Sequence, residues 1–239
     1  MGLFSGQTML VTGATGGIGE AVVRALSQQG AVVCLSGRNR RRLREVASRL
    51  PKQRAHCYPA DLTMTKQVES AVKKILADHQ RMDALVHCAA VIALDEIAAG
   101  SVESFEEQFQ TNVLGPYTLT QLLLPNLIAS QGQVVFTNST AGLKAAAGVS
   151  QYAATKHALR AVADSLRDEC NSAGVRVSSL FLGATATPMQ AAVRAHQRRR
   201  YAPERLMQPE DVAGLVAQLL ALPRSVEVTD VTMRPMRKS

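Results

Sequence analysis

The sequence contains no tryptophan, only five phenylalanines and four tyrosines in 239 residues, and no apolar run near the roughly 18 residues that a membrane-spanning helix requires. A core built with so few aromatics must rest on Ala, Val and Leu, and no membrane partner is expected. The first residues lack a charged segment followed by a long apolar stretch, so no signal peptide is expected and a cytoplasmic location is the simplest expectation. Four cysteines, Cys34, Cys57, Cys88 and Cys170, show no C-x-x-C spacing and read as reduced residues, three of them inside apolar runs. No metal site is expected.

Hydrophobic residues make up 46% of the chain and charged residues 19%, enough apolar surface to cover a sheet on both faces. The formal charge of +8 would permit nucleic-acid binding, but only its location decides that. Arginines cluster at Arg38, Arg40, Arg41, Arg42 and Arg44, and again at Arg194, Arg198, Arg199 and Arg200, with no aromatic residue in either run to stack on bases. Apart from Arg38 they read as solvated helix faces, and no nucleic-acid partner is expected.

Short apolar runs alternate with longer segments of helical period. The pattern predicts strands at Thr8–Val11, Ala31–Ser36, Arg54–Tyr58, Ala84–Cys88, Gln133–Thr137, Arg176–Phe181 and Val226–Met233. Helices are predicted near 17–29, 39–50, 65–79, 102–130, 151–173 and 209–222. This order implies an α/β fold, a doubly wound (Rossmann) seven-stranded parallel sheet with helices on both faces, as one domain over residues 1–239. The segment 188–207 interrupts the alternation after the sixth strand, where loops border the ligand crevice of such a sheet. It is equally readable as a substrate lid or as a solvated surface helix.

The run TGATGGIG, residues 12–19, follows the first strand and opens a helix. Its glycines allow a sharp turn, the approach of a pyrophosphate to the helix N-terminal amides, and close packing of helix on strand. Gly13, Thr15, Gly16, Gly17, Ile18 and Gly19 are the candidate cradle. After the second strand, where an NAD site carries an acid for the ribose 2′-hydroxyl, the chain reads Ser36-Gly37-Arg38. A guanidinium there would hold a 2′-phosphate, so NADP(H) is the expected cofactor, with Ser36 supporting Arg38. Asp61 and Leu62, after the third strand, could meet the adenine, or Asp61 could cap the following helix.

Tyr152 and Lys156 lie four apart in a helical segment and hence on one face. An ammonium beside a phenol favours the phenolate and draws its pKa toward working pH, which would make Tyr152 a general acid and base. Ser139 follows the fifth strand, at the carboxyl edge where its hydroxyl could hold a substrate oxygen. Asn112 sits mid-helix, where a local kink could hold a water, or where it is simply a tolerated polar residue near Gly115-Pro116.

The ordered set TGATGGIG, Asp61, Asn112, Ser139, Tyr152 and Lys156 resembles the short-chain dehydrogenase/reductase family. The resemblance implies hydride transfer between NADP(H) and a small-molecule carbonyl or secondary alcohol, in a homodimer or homotetramer. It implies that Ser139 orients the substrate, Tyr152 exchanges the proton, Lys156 lowers the tyrosine pKa and binds the ribose, and Asn112 maintains a relay water. Where the family usually has Asn-Asn-Ala-Gly, this chain reads His87-Cys88-Ala89-Ala90, so Ala89 would border the cofactor while His87 on its strand reads as structural. The usual Pro-Gly is Leu182-Gly183, but Thr187-Pro188-Met189 remains, and Thr187 would meet the carboxamide. The C-terminal VTDVTMRPM resembles the subgroup acting on 3-hydroxy acids, whose carboxylate one of Arg194, Arg198, Arg199 or Arg200 would meet. A 3-oxoacyl thioester reductase and a non-catalytic NADP(H)-binding regulator are the alternatives.

Overall fold

The computed structural model describes residues 2–237. Strands β1 (Thr8–Thr12), β2 (Val32–Gly37), β3 (Ala55–Pro59), β4 (Ala84–His87), β5 (Gln133–Ser139), β6 (Arg176–Leu182) and β7 (Asp230–Met233) form one sheet. Its order is β3-β2-β1-β4-β5-β6-β7, and all its pairings are parallel. All five residues of β1 and all seven of β6 are buried, as expected of strands covered on both faces.

Alternate strand residues feed two cores. Met9, Val11, Val33 and Leu35 pack on one face with helices α1 (Gly17–Gln28), α2 (Arg40–Ala47) and α8 (Pro209–Leu220). Leu10, Cys34, Leu85 and Phe136 pack on the other with α3 (Thr65–Asp78), α5 (Gly115–Ser130) and α6 (Ser150–Cys170). The near absence of large aromatics is visible here, because each core consists chiefly of Val, Leu and Ala. Among the described residues no helix is long and apolar enough to cross a membrane, and no His, Cys, Asp and Glu group could hold a metal. The four cysteines are free.

Three predicted elements differ in ways that have a physical cause. The helix expected over 102–130 is two: α4 (Val102–Phe109) and α5, joined by a π turn at Gln110–Leu114. Pro116, in the first turn of α5, has no N–H to give, and the extra residue is absorbed just before it. The helix expected over 39–50 runs only over Arg40–Ala47; Asn39 caps its start, the side chain accepting from the Arg42 N–H at 3.1 Å. The last strand, expected from Val226, begins only at Asp230. The carbonyls of Val226 and Val228 accept side-chain bonds from Arg176 (2.7 Å) and Ser178 (2.6 Å), so this stretch is held to β6 by side chains before the ladder starts. The interrupting segment 188–207 contains a helix, α7 (Pro188–His196), capped by Thr187, and a short 3-10 turn at Pro203–Arg205.

Candidate active site

Sheet order turns back between β1 and β4, and a cleft of about 620 Å3 opens at their carboxyl ends. The Thr12 hydroxyl accepts from the N–H groups of Cys88 (3.2 Å) and Ala89 (3.3 Å), tying the chain after β4 to the turn after β1. That turn requires glycine. Gly13 has φ +61°, and a Cβ there would lie 2.7 Å from the Ala89 backbone. A Cβ on Gly19 would lie 2.2 Å from the Gly13 carbonyl oxygen. Gly16 precedes α1 with no side-chain cap, so the first-turn amides have no side-chain acceptor and point to an anion. Gly13, Thr15, Gly16, Gly17, Ile18 and Gly19 all line the cleft. A glycine-walled cradle ending in uncapped helix amides fits a dinucleotide pyrophosphate.

At one end the cleft is bordered by Ser36, Arg38, Asn39, Arg42, Asp61 and Leu62. The end of β2 carries no carboxylate, which fits a 2′-phosphate better than a free hydroxyl. The one acid is Asp61, and its Oδ1 accepts from the Thr63 N–H (3.0 Å) and hydroxyl (2.9 Å). Asp61 therefore shapes the turn before α3 as well as lining the cleft, while the N-cap position of α3 falls to Met64. Eleven of the 27 basic residues but only three of the 19 acidic ones lie within residues 38–74, so this stretch carries the whole formal excess of +8. Sequence reasoning missed Arg42 and Asn39; the sign was Asn39 itself, a capping residue that turns the first coil of α2 toward the end of β2.

At the other end α6 presents Tyr152 and Lys156 one turn apart, both lining the cleft together with Ser139 from the end of β5. Lys156 is 1% exposed; its Nζ donates to the Thr137 carbonyl at 3.2 Å and lies 5.7 Å from the centre of the Tyr152 ring. Burial pulls the Lys156 ammonium down to about 8, against a smaller opposing pull from Cys88. The Ser139 hydroxyl accepts from the Ala141 N–H at 3.1 Å and stands close enough to the Tyr152 phenol to favour its anion. Within the cleft burial is the largest influence on the phenol. Burial pushes Tyr152 up to about 12, only partly offset by Ser139, because the ammonium sits over the ring face while the hydroxyl loses its water.

Asn112 lies in the π turn, fully buried, and does not line the cleft. Its amide accepts from the Val91 N–H (2.8 Å) and donates to the Val91 carbonyl (2.9 Å) and the Thr155 hydroxyl (3.1 Å). It joins the chain after β4 to α6 at the local kink that the π turn makes. His87 stacks on Phe136 with ring centres 4.9 Å apart and bonds Thr120 at 2.9 Å. Burial first, and then Lys156, pull it down to about 3, so it is neutral and structural. Ala89 lies in the cleft wall against Gly13, and Thr187, also in the wall, accepts from the Gln190 N–H at 3.2 Å and packs against Gly17.

The sequence profile of the short chain dehydrogenase family matches residues 7–198. An uncharacterized oxidoreductase of Staphylococcus epidermidis is 32% identical over 96% of this chain and 97% of its own length. Among solved structures, the alcohol dehydrogenase of the archaeon Thermococcus sibiricus, complexed with 5-hydroxy-NADP, superposes with a TM-score of 0.89 at 26% identity, over 98% of each chain. The closed form of serine dehydrogenase complexed with NADP+ gives 0.89 at 28% identity, over 98% of this chain and 96% of that one.

Gly13→Ala isolates the close approach. Gly6, also at positive φ (+80°) with nothing within 4 Å of a built Cβ, is its control. Gly6→Ala should lower stability by about 1–2 kcal/mol, the cost of a left-handed alanine. Gly13→Ala should cost more, and should also weaken dinucleotide binding; urea unfolding and a fluorescence titration with NADPH read the two effects.

Proposed function

Because the chain belongs to the short chain dehydrogenase family, we propose that it transfers a hydride between NADP(H) and a small carbonyl or secondary alcohol. The observation that carries this reading is that Ser139, Tyr152 and Lys156 share one cleft with the glycine turn. NADP(H) as the cofactor is supported by Arg38 and Ser36 at the end of β2, by the cationic excess around them, and by the NADP-type ligands of the two similar structures.

The pyrophosphate would rest on residues 13–19 and the 2′-phosphate on Arg38, with Thr187 and Lys156 at the nicotinamide end. Bound NADPH supplies a hydride to the carbonyl carbon. The Ser139 hydroxyl holds the carbonyl oxygen, and as charge develops there the Tyr152 hydroxyl gives it a proton, leaving an alcohol and a phenolate. A phenol held up to about 12 keeps its proton at neutral pH, which suits the reductive direction. Lys156 stabilises the phenolate that forms. Asn112 positions α6 through Thr155, and the segment 188–207 covers the substrate end. Exposed Tyr117 and Ile128 on α5 suit a surface covered by a second subunit in a homodimer or homotetramer.

For the substrate, the C-terminal segment and the likeness to serine dehydrogenase raise a 3-hydroxy acid as one candidate class, and a 3-oxoacyl thioester is the other. A non-catalytic regulator would have no use for the assembled Ser139, Tyr152 and Lys156.

Tyr152→Phe should lower kcat by about 10²–10⁴-fold, the usual worth of a positioned acid, and leave NADPH binding intact. Unchanged turnover would overturn the assignment. Arg38→Ala should raise the KM for NADPH and leave that for NADH nearly unchanged, narrowing the preference between them. The pH profile follows from Lys156, which is protonated below about 8 and neutral above it in the free enzyme. Tyr152 keeps its proton through that range, so kcat/KM for carbonyl reduction should be level below about 8 and then fall roughly tenfold per pH unit.

A further inference from the structure

The charged side chains lining the cleft are Arg38, Arg42, Asp61 and Lys156. The first three belong to the β2–β3 end. Lys156 lies beneath Tyr152, with its Nζ on the Thr137 carbonyl. Near Ser139 the cleft is lined by Leu94, Thr140, Ala141, Val149 and Thr185, by Met189, Gln190 and Val193 of α7, and by Gln197 just past its end. Met189, Gln190 and Val193 share one face of α7, at spacings of one and three residues, and Gln197, its C-cap, follows four residues later.

The arginines that a carboxylate would need are elsewhere. Arg194 is buried in α7 and is not in the cleft wall, and Arg198, Arg199 and Arg200 are exposed beyond the helix end, also outside the wall. Among the described residues the substrate end thus offers neutral amides and hydroxyls, Gln190, Gln197, Asn138, Thr140 and Thr185, and no fixed charge other than Lys156. A carboxylate or zwitterion entering there would lose water without gaining a counter-charge.

We propose that the substrate of this site is an uncharged, largely apolar ketone or the corresponding secondary alcohol, and that free 3-hydroxy and 3-oxo acids, serine included, are excluded. This inference rests on the reductase reading above and chooses within it. An apolar wall rewards each methylene of the substrate tail, while Gln190 and Gln197 can hydrogen-bond a neutral ester, amide or thioester oxygen. A 3-oxo thioester, neutral at its reacting end, therefore falls in the admitted class.

The test is a matched set of one carbon length: a methyl ketone, a 3-oxo ester and the 3-oxo acid, each with NADPH, and serine with NADP+. The neutral compounds should exceed the acid in kcat/KM by roughly 100-fold or more, because the acid brings an unpaired charge. An acid or serine turned over as well as the neutral compounds would overturn the proposal. Gln190→Arg adds a guanidinium to the cleft-lining face of α7, and should raise kcat/KM for the acid relative to the ketone by about tenfold or more. An unchanged ratio would mean that the substrate tail does not lie against α7, and the proposal would fall. Turnover of none of these compounds would count against the reductase reading, and calorimetric titration of the complex with NADP+ would still decide the ligand class. Binding of a neutral secondary alcohol and not of the hydroxy acid supports the proposal; the reverse overturns it.

Discussion

The constraint on which the site depends is the seam between β1 and β4, where two adjacent parallel strands part and the sheet order reverses. Thr12 closes that seam by accepting two N–H groups from the chain after β4, and Gly13 is the residue whose missing Cβ leaves room for it. From there a line of buried bonds runs inward. Val91, two residues past Ala89, is held on both its N–H and its carbonyl by Asn112. Asn112 donates to Thr155, and Thr155 donates to the Tyr152 carbonyl at 2.8 Å. The glycine turn and helix α6 are thus fixed to each other through one polar chain. Such a chain is costly to leave half made, and this makes the relative placement of its ends specific.

The same arrangement explains why a lysine can be 1% exposed without a carboxylate beside it. Its ammonium has the Thr137 carbonyl and the face of the Tyr152 ring, and burial pulls its proton affinity down until charge and neutrality are balanced near about 8. A purely structural lysine at that depth would gain little from this. The phenol above it moves the opposite way for the same reason, since loss of water disfavours its anion. Two groups displaced toward their uncharged forms in one cleft mark a site built to handle charge as it develops.

Much of this was legible in the chain. The alternation of short apolar runs with helical segments gives a seven-stranded doubly wound sheet because buried parallel strands need continuous apolar sequence. The glycine run could be placed because turn and helix start are local. Asn112 was harder. Its mid-helix position signals an irregularity, and the π turn is there, but its partners Val91 and Thr155 are 21 and 43 residues away and no spacing rule links them. The direction of the Tyr152 displacement was also out of reach. Four-residue spacing brings an ammonium near, whereas the depth of the phenol below the surface is set by walls contributed from several elements. Those walls also separate the arginines of the 188–207 segment from the cleft, which depends on which face α7 turns inward.

The basic charge of the whole chain takes its meaning from this geometry. Outside residues 38–74 acids and bases balance, so the overall +8 is a local property of α2, the turn that follows it and α3. Two of these cations, Arg38 and Arg42, line the end of the cleft that fits a 2′-phosphate, and the stretch lacks the interleaved aromatics that stacking on bases would need. Ser139 lies at the other end, between apolar walls. A polyanionic cofactor and the neutral substrate proposed above would thereby be sorted to opposite ends by charge, before either made a specific contact. Lys156 is the charged group lining the Ser139 end. Its place beneath the Tyr152 ring lets it act on the proton transfer while the walls around the substrate tail stay neutral.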